Sequence, residues 1–449
     1  MLCGDKMQNK SFTKLVLIIL IETALFMLMG TIDTIMLSGY SDNAVAAVGL
    51  ADQAISLAFM LFTVISTGTI ILISQYIGAE RIKNAENVAI ISLIISFLSG
   101  ILLSGIFIVF NEAILSFLSV DSNDTNFYNT TQNYLLIVSI FMPFAAMNPV
   151  VNSIFRGFNK AKISLYISLF VNIINIIGNA MFIYGWFGAP ILGPIGVAYS
   201  TAFSRTLKIV ITIILLKYFV KITPHENILK NFFKRSKEVF KVGTPSALEG
   251  IIYQVMQFVV LAFVSGYLGT TQVTTRIYVL KLTMFIFLAS LALAQANQIY
   301  VGNFVGRKEF DRALKHTNKV FIVGAFISLS MTLLFNIFND QLLGLFTNDS
   351  EIIRLGKSLL LLTFFVEFGR SLNLIYAFAL KGSGDVNFPL ITAFISMWGV
   401  VIPLTYFSIQ LGYGLMGVWA IYAFDEIIRG ILAIIHWQTG KWKKKALVK

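Results

Sequence analysis

Residues 15–40 read LVLIILIETALFMLMGTIDTIMLSGY. A helix that crosses a bilayer needs about 20 predominantly apolar residues. This run exceeds that length and admits only two charged side chains, Glu22 and Asp33. A strand of an outer-membrane barrel would instead show about 10 residues of strict alternation. The run therefore predicts a membrane-spanning helix. Eleven more follow, near 53–78, 88–110, 133–155, 163–187, 193–219, 239–266, 277–305, 317–338, 355–380, 388–411 and 414–437. The expected fold class is an all-α integral membrane protein with twelve transmembrane helices. The first run outlasts a signal-peptide core and lacks a small-residue cleavage site, so it reads as a span.

Composition agrees. The 449 residues are 57% hydrophobic and 12% charged, with a mean hydropathy of +0.80. A soluble domain carries about 25% charged residues, so a soluble globule of this size is excluded. Cys3 is the only cysteine, and His225, His316 and His436 lie far apart. These leave no thiolate cluster and no histidine ligand spacing. No GxxxxGK[ST] loop occurs, so nothing points to ATP hydrolysis. No cofactor is expected, and the scarcity of His and Cys argues against a membrane-embedded enzyme.

The net charge of +12 is distributed by loop. Lys6, Lys10 and Lys14, then Arg81 and Lys83, then Arg156, Lys160 and Lys162, then Lys217 to Lys241 fall on alternate connections. Arg307 to Lys319, Lys381 and the tail Lys441 to Lys449 continue the pattern. These segments hold 26 of the 34 Lys and Arg, whereas 111–132 holds Glu112, Asp121 and Asp124 with none. Cytoplasmic loops attract Lys and Arg. The pattern predicts a multi-pass protein of the cell membrane with both termini cytoplasmic. Charge scattered over alternate loops, not gathered on one face, argues against nucleic-acid binding.

The chain also repeats itself. Gln75-Tyr-Ile-Gly78-Ala-Glu80-Arg81 matches Asn303-Phe-Val-Gly306-Arg307-Lys308, Arg156-Gly157 matches Lys381-Gly382, Gly196-Val197 matches Gly417-Val418, and Glu22 matches Glu249. Six spans per half is an even number, so the halves have the same topology. That is a parallel repeat about an axis along the membrane normal, an architecture of alternating-access transporters. The expected division is an N-lobe over 1–220, a cytoplasmic linker over 221–238 and a C-lobe over 239–449, two six-helix bundles related by a pseudo-two-fold.

Charge at membrane depth costs at least about 2.5–3.5 kcal/mol per residue on insertion scales, so retained charges mark candidate sites. Glu22 and Asp33 are about three turns apart and near one helix face. Asp33 has no local cation and is the expected coupling residue; Glu22 is open to coupling or to anchoring near the boundary. Glu249, Glu367, Arg370, Arg205, Asp425, Glu426 and Arg429 also lie in spans. Glu367 and Arg370 at i,i+3 neutralise each other, and Asp425 and Glu426 with Arg429 read as structural pairs. Asn172, Asn175 and Asn179 draw one polar stripe down span 5. Asparagine offers a carbonyl acceptor and an amide donor, so the stripe is open to two readings, a cation site or interhelical packing.

Several motifs resemble multidrug and toxic compound extrusion (MATE) transporters of bacteria. They are Gly30-Thr-Ile-Asp33-Thr-Ile-Met36 with Ala44-Val-Ala-Ala47-Val-Gly49, and Phe155-Arg156-Gly157-Phe-Asn159-Lys160-Ala161 before the asparagine run. Gly193-Pro194-Ile-Gly196-Val197-Ala198, Leu380-Lys381-Gly382-Ser-Gly384-Asp385 and Asp425-Glu426-Ile-Ile-Arg429-Gly430 complete the set. The resemblance covers nearly the whole chain. It implies the MATE fold, with a central cavity between two lobes, and export of small amphipathic, often cationic drugs or toxins against a proton or sodium gradient. Carried over, Asp33 fits the family's first-helix aspartate in an N-lobe cation site, and Asn175 fits that site's asparagine. Asp33 and Asn175 are thus the positions where sodium is expected, if sodium is the ion. Asn179 stands where many members have a second aspartate, and Ser200 or Thr201 is placed to supply a hydroxyl. The C-lobe departs from the pattern: Tyr253 and Arg370 occupy the positions of two family acids, with Glu249 one turn before Tyr253 and Glu367 beside Arg370. These four and Glu22 are the additional candidates for coupling or substrate contact.

The alternative is a flippase for lipid-linked saccharides, a function also found on this fold. Such a cavity would be strongly basic, and the chain offers only Arg205, Lys281, Arg370 and Arg429 near membrane depth. The expected partners are the bilayer and small amphipathic or cationic substrates, and the expected state is a monomer.

Overall fold

The computed structural model describes the backbone of residues 2–118, 120, 124–220 and 228–448. Asp121 of the acidic loop and residues 221–227 of the expected linker lie outside them. The described residues are helical throughout, without a β-strand. In chain order the helices are α1 (Leu2–Ser38), α2 (Asp42–Gly78), α3 (Ile82–Val109), α4 (Asn111–Phe117), α5 (Thr125–Ile140), α6 (Met142–Gly157), α7 (Ala161–Tyr184) and α8 (Pro194–Leu215). They continue with α9 (Ile228–Leu268), α10 (Thr270–Gly306), α11 (Phe310–Ile337), α12 (Asn339–Gly344), α13 (Ser350–Ser383), α14 (Asn387–Ser396), α15 (Ile402–Gln410) and α16 (Gly414–Gln438).

The twelve expected runs all fall on helices. Eight described helices are long and apolar enough to cross a membrane, and α5 with α6 makes a ninth, bent by 57°. The bend explains the fourth run: Phe141 leaves the helix and Pro143 opens the next one, where its missing N–H costs nothing. The three runs outside that set are those on α8, α13 and α16. They carry Arg205 and Lys208, Glu367 and Arg370, and Asp425, Glu426 and Arg429 respectively. The eleventh run contains a π-helical turn, Met397–Val401, just before Pro403, a local break of the kind proline induces.

The repeat is visible element by element. α2 and α10 are both 37 residues long, and α3 and α11 are both 28. The turns between them are built alike. Ala79 N–H donates to Gln75 O at 2.9 Å and Arg307 N–H to Asn303 O at 3.1 Å. The next residues, Glu80 and Lys308, both take left-handed backbone at φ 59° and 62°.

The chain forms two compact units. The N-terminal unit is Ile21–Ile73 with Arg81–Thr244, and the C-terminal unit is Met1–Leu20, Ser74–Glu80 and Pro245–Lys449. These bounds differ from a cut at the linker, because the last turns of α2 pack with the C-terminal helices. A Cβ on Gly78 would overlap the Asn303 carbonyl, and one on Gly306 the Gln75 carbonyl. The matched Gln75–Gly78 and Asn303–Gly306 motifs are therefore a helix crossing that only glycine permits.

In the N-terminal unit α3 packs on α6, and α8 on α5 and α7. Ala44, Ala47, Ala51, Ala54 and Ala58 are buried along one side of α2; small residues let helix backbones approach without help from water exclusion. In the C-terminal unit α13 is central and packs against α10, α11 and α16. Val260, Val279, Leu359, Val401 and Trp419 are buried in its core.

Candidate cation site

The N-terminal unit brings the asparagine stripe to Asp33. The α7 spacing of three and four puts Asn175 and Asn179 on the buried side, and the Asn179 amide donates to the Asp33 carboxylate at 2.6 Å. Asn175 Nδ2 lies 3.4 Å from both the Ser200 and the Thr201 hydroxyl of α8. The Ser200 hydroxyl donates to the Asn175 carbonyl at 2.9 Å. Both side-chain carbonyls, Asn175 Oδ1 and Asn179 Oδ1, are buried and, among the described residues, receive no hydrogen bond. Asn172 is half-buried on the same helix and, among the described residues, bonds to no other side chain.

Asp33 is half-buried and, among the described residues, in no ion pair. It lines a cavity of about 150 Å³ together with Gly30, Thr34, Asp52 and Tyr134. Arg205 is near enough for its charge to act on both aspartates. Arg205 packs over the Phe59 ring at 5.1 Å. Asp52 and Tyr134 escape the sequence reading. The second expected run begins at 53, so Asp52 falls just outside it, whereas α2 starts at Asp42 and carries the aspartate to the cavity wall. The apolar stretch from Ala44 to Gly49 is the signal that would have extended the run.

Glu22 does not join Asp33. It forms an ion pair with Arg156 of α6 at 2.7 Å and accepts from the Ser164 hydroxyl of α7 at 2.7 Å.

In the C-terminal unit Glu249 pairs with Lys381 at 2.9 Å, and Lys381 also packs over Phe378 at 4.7 Å. Glu367 is fully buried and pairs with Arg370. Arg370 also lies 3.7 Å from Glu426. Arg429 Nε donates to Asp425 at 3.0 Å and Nη2 lies 3.3 Å from Glu426. Asn373 donates to Glu426 at 2.8 Å. Tyr253 faces the same charges. Gln257 accepts from the buried Arg276 at 2.7 Å and from Tyr422 at 3.0 Å. Glu367 and Arg370 thus belong to one compensated network, and Tyr253 faces its charges. Among the described residues, no three His, Cys, Asp or Glu converge as a metal site.

A family model, MatE, matches residues 19–181 and again 245–407, once in each repeat. The chain belongs to the MATE family. The curated relatives include the uncharacterized transporter YisQ of Bacillus subtilis, 35% identical over 96% of this chain and 94% of its own length. The probable multidrug resistance protein NorM of Thermotoga maritima is 25% identical over 98% and 94%. Among solved structures, a MATE protein in the bent conformation superposes with a TM-score of 0.86 at 20% identity, covering 97% of this chain and 96% of the other. A Pyrococcus furiosus transporter of the MOP superfamily gives 0.83 at 20% identity, over 96% and 95%. At those identities the likeness shows the twelve-helix MATE fold. MATE membership makes the protein a multi-pass membrane transporter and not an enzyme.

Proposed function

We propose that this MATE protein is a secondary active antiporter of the cell membrane, with both termini cytoplasmic. It exports amphipathic, often cationic drugs or toxins by alternating access, driven by a proton or sodium gradient coupled at Asp33. The observation that carries this reading is the Asp33 carboxylate, which lines a cavity, accepts from Asn179 and has no ion-pair partner among the described residues. A carboxylate already paired, such as Glu22 or Glu367, has its charge compensated and offers a passing cation little. Asp33 does not, so a proton, a sodium ion or a cationic substrate gains most there, and mutual exclusion at one carboxylate is a sufficient basis for exchange. A proton needs Asp33 alone. Sodium needs several oxygen ligands, as hard cations do, and the two unpartnered carbonyls of Asn175 and Asn179 are candidates.

A flippase cavity would present free basic groups to a pyrophosphate. Arg370 and Arg429 are held by acids, which favours the exporter. The deciding experiment is efflux of a fluorescent cationic dye from proteoliposomes, with proton and sodium gradients imposed separately and Asp33→Asn beside wild type. Transport under one gradient, lost in the variant, supports the reading and names the ion. No dye movement under either gradient, in protein of known orientation, would sink it.

A further inference from the structure

The C-terminal segment is a docked element, not a free tail. The 3-10 helix Lys441–Lys445 follows α16, and Trp442 within it is fully buried. Its indole stacks on Trp437 at 4.1 Å and donates to the Trp437 carbonyl at 2.7 Å. Farther on, Leu447 N–H donates to Gln75 Oε1 at 2.9 Å, while Gln75 Nε2 donates to the Gly382 carbonyl at 2.9 Å. The segment lies against the start of α11: Trp442 meets the Phe310 ring at 5.8 Å, and Lys443 lies 3.6 Å from Asp311.

This docking gathers like charge. Residues 307–315 and 441–445 hold eight Lys or Arg against two acids. Both acids are engaged, Glu309 by Arg312 at 3.0 Å and Asp311 by Lys443. Arg307, Lys308, Lys315, Lys441, Lys444 and Lys445 are exposed and, among the described residues, in no ion pair. Like charges gathered on two segments in contact repel, and an anion that joins them relieves the repulsion. Topology alone does not ask for this density. The equivalent stretch of the first repeat, 79–87, carries two cations and two acids, and an even number of spans returns both turns to the same side of the bilayer.

The geometry points to a docking site for the phosphate headgroup of an anionic phospholipid, formed by the start of α11 and the pinned 441–445 helix. The site stands at the end of α11, a helix long and apolar enough to cross a membrane, and clustered Lys and Arg beside such a helix attract acidic lipids. Burial of Trp442 holds the lysines in place before a lipid arrives, so little ordering is left for binding to cost. The inference is independent of the coupling site at Asp33.

The test is native mass spectrometry of the full-length, delipidated protein with added phosphatidylglycerol or phosphatidylcholine. Wild type is expected to retain phosphatidylglycerol selectively. The surface variant Lys441→Gln/Lys444→Gln/Lys445→Gln is expected to lose about tenfold or more of that affinity, since each Lys near an acidic membrane contributes about 1 kcal/mol. Arg81→Gln/Lys83→Gln, in the equivalent turn, is expected to bind as wild type. Trp442→Ala, which keeps every charge but frees the helix, is expected to weaken retention. Unchanged binding in the triple variant, equal retention of phosphatidylcholine, or displacement by millimolar inorganic phosphate would each overturn the proposal.

Discussion

Lys381 Nζ of α13 lies 2.9 Å from the Glu249 carboxylate of α9, and the first repeat makes the same pair from Arg156 of α6 and Glu22 of α1 at 2.7 Å. Each half thus ties its first span to its fourth with one ion pair at matched positions. Removing one partner of a buried pair leaves an uncompensated charge, at a cost of about 3–5 kcal/mol.

Glu249→Gln is therefore expected to lower thermal stability in detergent substantially, because Lys381 is 5% exposed and loses its counter-charge. Glu249→Gln/Lys381→Met removes both charges and is expected to recover most of the loss. Melting curves of the single and double variants decide this; a single variant as stable as wild type rules out a structural pair.

Asp33→Asn is expected to abolish gradient-driven efflux while leaving the melting temperature near that of wild type. The cavity accommodates the isosteric amide, and no ion pair is broken. Undiminished efflux by well-folded variant would remove Asp33 from the coupling role.

Asn179→Asp sets a second carboxylate where the amide now donates to Asp33 at 2.6 Å. Two carboxylates that close cannot both stay charged without a cation between them. Sodium dependence of dye efflux is expected to rise several-fold; an unchanged sodium response means that these oxygens do not form a sodium site.

Glu367→Gln is expected to act on folding rather than on transport, since Glu367 serves to neutralise Arg370 inside a closed network. Its yield of folded protein is expected to fall, with the surviving fraction transporting at a rate close to wild type. Efflux measured per folded molecule tests it: a well-folded variant that does not transport contradicts the structural role.

The twelve runs, the internal repeat and the Glu22/Glu249 match were legible in the sequence. Lipid permits only segments that satisfy their own backbone hydrogen bonds, so apolar length alone specifies a helix. The neutral reading of Glu367 with Arg370 was legible too, because both lie on one helix at i,i+3. Asn179 meets Asp33 across a sequence separation of 146 residues. Periodicity placed Asn179 on a polar stripe, and only helix packing decided what the stripe faces.

Asp52 had only the apolar stretch Ala44 to Gly49 to signal it, and Tyr134 and the Trp442 anchor were invisible in the sequence for the same reason. A tyrosine among many and a tryptophan in a lysine-rich tail carry no local signal. Local sequence determined which segments are helices and where the two repeats correspond. Tertiary packing decided which carboxylates are neutralised by a cation and which, Asp33 and Asp52, are left lining a cavity, because compensation of a charge depends on distances that chain spacing does not set.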